Sequence, residues 1–167
     1  MKVAITPSSF AAVNQAPLEQ LRSAGIEVKG NPWGRRLTKE EAMSFLSDCD
    51  GVVAGLEPLD ADVLANCPHL KAIARVGIGV ANVDFTAAEK HGIKVSNTPG
   101  GPTEAVAEMT LTACLTLLRD LVARNAALHR GEWPKHVALG LSQLPVLFIG
   151  FGRIGRRTGE LFNALGA

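Results

Sequence analysis

Three glycines near the end of the sequence have the spacing of a phosphate-binding turn. Gly150, Gly152 and Gly155 form G-x-G-x-x-G directly after the apolar run 146–149, and 156–165 has helical spacing. In a strand–turn–helix unit, the first glycine permits a tight turn and the second lets the backbone approach a pyrophosphate. The third lets helix and strand pack closely, and the helix N-terminus offers N–H groups to phosphates. The stretch therefore predicts a dinucleotide site between a buried strand and a helix.

A second turn has the composition of a carboxylate-binding loop. Arg75 is followed by Val76, Gly77, Ile78 and Gly79 at the end of a predicted strand. Glycine lets backbone N–H groups approach an anion closely, and an arginine can add a charge-assisted contact. The alternative is that the two glycines only make a tight turn from strand to helix. The residues alone favour neither interpretation.

Other catalytic patterns are missing from the sequence. The four histidines lie near predicted loops or helix ends, where surface positions are expected: His69, His91, His129 and His136. There is no H-E-x-x-H or other metal-ligand spacing, and no G-x-S-x-G nucleophile motif. The sequence therefore indicates neither a metal site nor a serine hydrolase.

The composition is that of a globular chain with a packed core. Of 167 residues, 47% are hydrophobic and 20% charged. The net charge of +1, without blocks of like charge, argues against a nucleic-acid or anionic-membrane partner. The longest membrane candidate, 105–123, contains Glu108, Arg119 and Asp120, so a buried helix is expected there.

The number and spacing of the cysteines indicate the cellular compartment. They are odd in number and have no C-x-x-C spacing, which predicts reduced thiols and a cytoplasmic location: Cys49, Cys67 and Cys114. The alternative interpretation is that all three are simply small buried hydrophobic side chains.

Strand and helix patterns alternate through the first part of the chain. Five short apolar strands are predicted at 2–6, 26–29, 51–55, 71–76 and 93–96. Helices are predicted between them at 16–24, from the capping box of Thr38 and Glu41, at 61–65 and at 83–90. This alternation predicts an α/β fold with a flavodoxin-like, doubly wound parallel sheet.

Gly100-Gly101-Pro102 marks a predicted domain boundary. Thr103 is expected to cap a helix that continues through Arg119, with a kink and an extension to Arg130. Its apolar residues form two faces, one of Val106, Met109, Ala113 and Leu117, the other of Leu111, Leu115, Leu118 and Val122. Two faces need two partners, one of which can be another protomer, unless the helix is buried wholly within its own domain.

Several of these motifs, taken in order, resemble the D-2-hydroxyacid dehydrogenase family, especially its phosphoglycerate-dehydrogenase-like members. The resemblance is carried by 75–84, 92–100, 105–110, 130–133 and 150–155. It implies hydride transfer between NAD(H) and the 2-carbon of a 2-hydroxy or 2-keto acid. It also implies a substrate-binding lid domain at 1–99, an interdomain and dimerisation segment at 100–140, and the start of a Rossmann NAD-binding domain at 141–167. A cleft between two domains and a homodimer through the helix starting at Thr103 are part of the same expectation.

The resemblance also assigns roles to individual residues. Residues 75–79 would contact the substrate, with Ile78 near the nicotinamide as well, and Arg153 and Ile154 would contact the cofactor phosphates. Asn97 would bond the loop backbone, and Glu108 would make interdomain contacts.

The sequence also departs from the family pattern. Ala81 replaces a residue that is usually polar. The loop at Gly55-Leu56 lacks the arginine with which many phosphoglycerate enzymes hold the substrate phosphate, which puts 3-phosphoglycerate in doubt. Arg35 and Arg36 are expected in a solvated turn.

The family's catalytic arginine, acid and histidine, and the acid that holds the ribose, have no counterpart in these 167 residues. We therefore expect the N-terminal part of a longer oxidoreductase, with no catalytic residue in this chain and negligible turnover by the chain alone. The particular acid and the choice between NAD and NADP cannot be deduced from it. The alternatives are a non-enzymatic NAD-binding or regulatory module, and a flavodoxin-like module for another small ligand.

Overall fold

The computed structural model describes residues 1–135 and 137–167. His136, one of the four predicted surface histidines, lies outside the described residues. The chain forms two compact units, Met1–Gly100 and Gly101–Ala167, and each is described by itself.

The first unit contains a five-stranded parallel sheet in the order β2-β1-β3-β4-β5. Its strands are β1 (Lys2–Ile5), β2 (Glu27–Gly30), β3 (Gly51–Ala54), β4 (Ala72–Arg75) and β5 (Lys94–Asn97). All four neighbouring pairs are parallel. From β1 the chain moves outward to β2, then returns past β1 and continues in the other direction through β3. The predicted doubly wound, flavodoxin-like sheet is confirmed, and its topological switch point lies between β1 and β3.

Four helices connect the strands: α1 (Ala16–Ser23), α2 (Lys39–Leu46), α3 (Ala61–Ala65) and α4 (Phe85–Lys90). Thr38 and Glu41 form the predicted capping box at the start of α2. Asp60 and Asp84 accept hydrogen bonds from first-turn N–H groups of α3 and α4. Because Asp84 caps it, α4 begins at Phe85 and not at the predicted Val83.

The core cluster of the first unit lies on one face of the sheet, where Ala4, Val52 and Ile73 are neighbours in register. Its largest members include Leu37, Leu46, Leu59, Leu64 and Ile73, each at most 2% exposed. Burying one such side chain stabilises the fold by about 1.5–3 kcal/mol. Cys49 and Cys67 are buried in the same cluster, as expected for small hydrophobic side chains.

The second unit is helical, with α5 (Thr103–Leu118), α6 (Leu121–His129), a 3-10 turn (Leu141–Gln143) and α7 (Arg153–Ala164). Asp120, in the left-handed conformation at φ 52°, separates α5 from α6 and accounts for the predicted kink. The predicted cap at Thr103 is wrong, because Thr103 is already the first helical residue and Pro102 precedes it. Capping requires an extended backbone at the residue before the helix, and the Thr103 hydroxyl has no hydrogen-bond partner among the described residues.

The predicted buried strand at 146–149 is also wrong. The segment pairs with no strand in the described part of the chain, and Leu147 and Ile149 are 86% and 96% exposed. Phe148 alone turns inward, with its ring 5.8 Å from that of Phe162 on α7 and 6.2 Å from that of Phe151. A strand is defined by hydrogen bonds to a neighbour, and all five strands of the sheet lie in the first unit.

The two apolar faces of α5 differ in their surroundings. Helix α5 packs against α7, and Arg157 of α7 forms a 2.8 Å ion pair with Glu104 of α5. Of the face predicted around Leu111, the residues Leu111, Leu115 and Leu118 are half-buried, whereas Val122 on α6 is exposed. On the other face, Met109 and Leu117 are 67% and 81% exposed. That face has no partner within the described residues of the second unit.

Candidate functional site

The carboxyl ends of the strands in the first unit enclose two adjoining cavities. The first, here called the edge cavity, has a volume of about 290 Å³ and is lined by the loops after β1 and β3. The second, the loop cavity, has about 390 Å³ and reaches the turn after β4. Arg36, Leu56 and Arg75 line both. In open α/β sheets this edge is where ligands bind.

The turn after β4 is shaped around Arg75. This side chain is buried, its guanidinium donates a hydrogen bond to the carbonyl of Val76, and its Nε has no partner among the described residues. Gly77 lies at φ 141°, and a Cβ there would collide with the Arg75 guanidinium. Glycine is therefore required at this position both by backbone conformation and by space.

Asn97, the last residue of β5, and Thr98, which follows it, hold the same turn in place. Thr98 Oγ1 accepts a 2.8 Å hydrogen bond from the Gly77 N–H, and the Thr98 N–H donates to the Gly77 carbonyl at 3.0 Å. Asn97 Nδ2 donates to the Ile78 carbonyl at 2.9 Å, the loop-bonding role expected for this asparagine. The Gly77 N–H is thus already used within the protein. The N–H groups of Ile78 and Gly79 have no acceptor in the described part of the chain, and they remain the candidate anion donors.

A buried carboxylate fixes the loop after β3. Glu57, only 1% exposed, accepts hydrogen bonds from Thr6 Oγ1 at 2.5 Å and from the Gly55 N–H at 3.0 Å. Asn82 Nδ2 donates to the carbonyls of Glu57 and Gly55, at 2.8 and 3.2 Å. Sequence reasoning missed this cluster. Its one local signal is a glutamate placed between Leu56 and Pro58 beside a predicted buried strand.

Arg35 and Arg36, both expected in a solvated turn, have different environments. Arg35 makes a bidentate ion pair with Glu41, at 2.6 and 2.8 Å. The Arg36 side chain is exposed and lines both cavities. Its guanidinium has no hydrogen-bond or ion-pair partner among the described residues. Both arginines are exposed, as expected of a solvated turn, and Arg36 in addition lines the two cavities.

In the second unit, the glycine turn has the geometry that a phosphate site requires. Gly150 has φ 96°, and a Cβ on Gly155 would collide with the Gly150 carbonyl. Gly152 precedes α7, no side chain caps the helix, and the space around a Cβ on Gly152 is open. The first-turn N–H groups of α7, from Arg153 onward, are therefore accessible to an anion.

The structure shows no specific contact at the candidate sites for the remaining predicted residues that it describes. Arg153 is exposed and Ile154 half-buried at the start of α7, while Glu108 is exposed on α5. His69, His91 and His129 are exposed, as expected. Among residues 1–135 and 137–167, no group of three or more His, Cys, Asp or Glu side chains can hold a metal ion. In that same part of the chain, no helix combines the length and apolar character needed to cross a membrane.

The sheet order, the two cavities and the glycine turn define an α/β protein with cavities at the carboxyl ends of its strands and a glycine-rich turn before α7. Residues 4–162 match the family model of the D-isomer specific 2-hydroxyacid dehydrogenase, catalytic domain. The chain belongs to this family.

The chain is similar to several relatives over most of its length. It is 33% identical over 149 residues to human D-3-phosphoglycerate dehydrogenase, covering 87% of this chain and 27% of that protein. It is 35% identical over 133 residues to hydroxypyruvate reductase of Thermotoga maritima, covering 78% and 44%. The crystal structure of the TT0316 protein from Thermus thermophilus superposes with a TM-score of 0.89 at 32% identity, covering 99% of this chain and 54% of that one. The chain thus spans about a quarter to a half of the length of these relatives.

Proposed function

We propose that the protein containing this chain is an NAD-dependent oxidoreductase acting on a small 2-hydroxy or 2-keto acid. The observation that carries the proposal is the turn at 150–155, where Gly152 leaves the start of α7 open and uncapped. These features fit a dinucleotide pyrophosphate, because the backbone can approach closely and N–H groups point at the phosphates. Bound NADH would supply the hydride that reduces the 2-carbon of a keto acid.

The residues of this chain bind and orient the reactants. In the second unit, Gly150 and Gly155 shape the turn, while Gly152, Arg153 and Ile154 lie against the phosphates. In the first unit, the N–H groups of Ile78 and Gly79 hold the substrate carboxylate, and Arg75 adds positive charge beside them. Asn97 and Thr98 keep this turn rigid. A rigid donor set needs little reorganisation when the anion binds.

Further proposals concern the division into domains, the oligomeric state and the cellular location of the protein. We assign 1–99 to substrate binding, 100–140 to the interdomain and dimerisation segment, and 141–167 to the cofactor-binding domain. The exposed face of α5 around Met109 and Leu117 supports a homodimer, since a large apolar face of this kind is typical of an interface. Unpaired cysteines support a cytoplasmic location.

The test uses the complete protein that contains this chain. Wild type is expected to bind NADH and to consume it when a 2-keto acid such as pyruvate or glyoxylate is added. A Gly152→Val variant is expected to fold, because a Cβ there meets open space, yet to lose NADH affinity by at least about tenfold as the side chain fills the phosphate position. Gly30→Val, in the edge strand β2, adds the same side chain at another open glycine and should leave binding unchanged.

The outcomes separate the candidate functions. Binding of NADH without turnover of any 2-keto acid would favour a regulatory or binding module. Unchanged NADH affinity in Gly152→Val would remove the turn at 150–155 from the cofactor site. Failure of wild type to bind NADH would overturn the proposal.

A further inference from the structure

The edge and loop cavities of the first unit share two arginines in their lining. Arg36 comes from the loop after β2 and Arg75 from the end of β4, and both line the same two cavities. Arg75 is buried, with an Nε that has no partner among the described residues. Like charges repel, so an arrangement of this kind is favourable when an anion lies between them.

The loop after β2 is built so that Arg36 reaches the cavities. Asn31 Nδ2 donates to the Thr6 carbonyl at 2.6 Å and to the Arg35 carbonyl at 2.8 Å, tying the loop to the end of β1. The Arg35 side chain is held by Glu41, and Leu37 is buried in the core. Arg36 lies between these two anchors. Its backbone is therefore fixed while its guanidinium stays available.

The charge of the cavities is positive. Their ionisable lining residues are Arg36, Arg75 and Glu57. Glu57 turns one carboxylate oxygen toward Thr6 and Gly55 and offsets only one of the two positive charges. The remaining walls near the turn are uncharged, including Leu56 and Ala81. An anion entering this space therefore meets a net positive surface.

We propose that Arg36 binds a second anionic group of the substrate. The inference rests on the proposed function, in which Ile78 and Gly79 hold the carboxylate next to the reacting carbon. The substrate class is then a short 2-hydroxy or 2-keto acid with a carboxylate or phosphate at its far end.

Kinetics of the complete protein test this specificity. 2-Oxoglutarate and 3-phosphohydroxypyruvate carry a second anion, one a carboxylate and the other a phosphate, and pyruvate carries none. Arg36→Gln should lower kcat/KM for the preferred dianionic substrate by at least about tenfold and leave pyruvate within about twofold. Arg36→Lys should recover part of the loss because the charge is retained.

A matched control comes from the neighbouring residue. Arg35→Gln removes the same charge one position away, from a side chain that pairs with Glu41, and should not change the preference between the substrates. An equal loss for all substrates in Arg36→Gln, or an equal change of preference in Arg35→Gln, would overturn the proposal while leaving the dehydrogenase function intact. Absence of turnover in wild type would instead be a failure of the proposed function.

Direct binding to the complete protein provides a readout that does not depend on turnover. Inorganic phosphate and succinate are titrated separately while the guanidinium Nε–H resonances of the arginines are followed by NMR. We expect saturable shifts for Arg36 and Arg75 with at least one of the two anions, and none for Arg35. The anion that binds more tightly identifies the far-end group. Absence of any saturable shift at Arg36 with either anion would overturn the proposal.

Discussion

Thr6 Oγ1 donates a 2.5 Å hydrogen bond to Glu57 Oε1, joining the loops after β1 and β3 in the interior of the first unit. Both residues are at most 2% exposed. The Gly55 N–H lies within hydrogen-bond distance of both, 2.8 Å from Thr6 Oγ1 and 3.0 Å from Glu57 Oε1. This small network fixes the part of the edge cavity that the loop at Gly55, Leu56 and Glu57 forms.

Removing the Thr6 hydroxyl should therefore destabilise the protein. Thr6→Val keeps the side-chain shape but deprives the buried Glu57 carboxylate of a donor, and we expect a loss of about 1–3 kcal/mol in the free energy of unfolding. Urea denaturation followed by far-UV circular dichroism measures it. Ser8→Ala, at an exposed hydroxyl of the same cavity, is the control and should change stability little. Equal stability of Thr6→Val and wild type would show that the network contributes no net stability.

Acid should weaken the ion pairs that Asp48, located just after α2, forms with Lys2 of β1 and Lys29 of β2. Hydrogen bonds from Lys2 and Lys29, at 2.6 and 2.7 Å, hold the pKa of the Asp48 carboxyl well below its ordinary value. A carboxyl with a lowered folded-state pKa contributes stability that is present above its unfolded pKa of about 4 and is lost as pH falls toward the folded value. Stability should thus decrease as pH is lowered below about 4.

The variant Asp48→Asn isolates this contribution. It should flatten the acid limb of a plot of stability against pH, whereas Glu89→Gln, at an exposed glutamate with no ion pair in the described part of the chain, should not. Thermal melts from neutral to acidic pH provide the comparison. Parallel curves for wild type and Asp48→Asn would assign the acid sensitivity to other carboxylates.

The reactivity of the thiols follows from their burial. Burial, with a smaller effect from the hydrogen bond to Asp48, raises the pKa of the Cys49 thiol to about 11, and burial also raises the pKa of Cys67. At about pH 8 only roughly one Cys49 in a thousand is then a thiolate, the reactive form. In native protein, iodoacetamide should modify half-buried Cys114 first, as followed by peptide mass spectrometry. Native Cys49 alkylating as fast as in urea would contradict this account.

The sequence was most informative where the determining contacts are local. The capping box links Thr38 to Glu41, three positions later, and formed as predicted. The alternation of short apolar strands with helical segments was sufficient to predict the parallel sheet. The strand at 146–149 was wrongly predicted because a strand also depends on a neighbour, which hydropathy alone does not report.

The site depends more on contacts between distant residues. The position of Arg36 at the cavities depends on the hydrogen bond from Asn31 to the Thr6 carbonyl, and the environment of Glu57 depends on a contact across 51 positions. No periodicity or motif in the sequence encodes either pairing. The glycine motifs could be recognised because each requires a particular backbone conformation within a few consecutive residues. Even there, only the structure shows that the Gly77 N–H already donates a hydrogen bond to Thr98 Oγ1.

Catalytic turnover by the chain of 167 residues alone should be negligible. His69, His91 and His129 are exposed and none lines the edge or loop cavity, so the described residues offer no histidine there as proton donor to a reduced carbonyl. Incubation with NADH and pyruvate or 2-oxoglutarate, followed by NADH absorbance, should show no enzyme-dependent loss. The complete protein, assayed in parallel, serves as the positive control. Sustained NADH consumption by a sample whose intact mass corresponds to this chain would contradict the expectation.

The exposed face of α5 should control self-association. Met109 and Leu117 lie two turns apart on this helix, 67% and 81% exposed, and burying both in a homodimer would remove a large apolar area from water. Met109→Glu and Leu117→Glu place a carboxylate in that interface, and each should shift the dimer toward monomer by at least about tenfold in the dissociation constant. Val13→Glu, at a fully exposed position of the first unit, is the matched control and should leave association unchanged. Sedimentation equilibrium of the complete protein measures all three against wild type. If the glutamate variants remain as dimeric as Val13→Glu, the interface lies elsewhere and the apolar face of α5 is not the dimerisation surface.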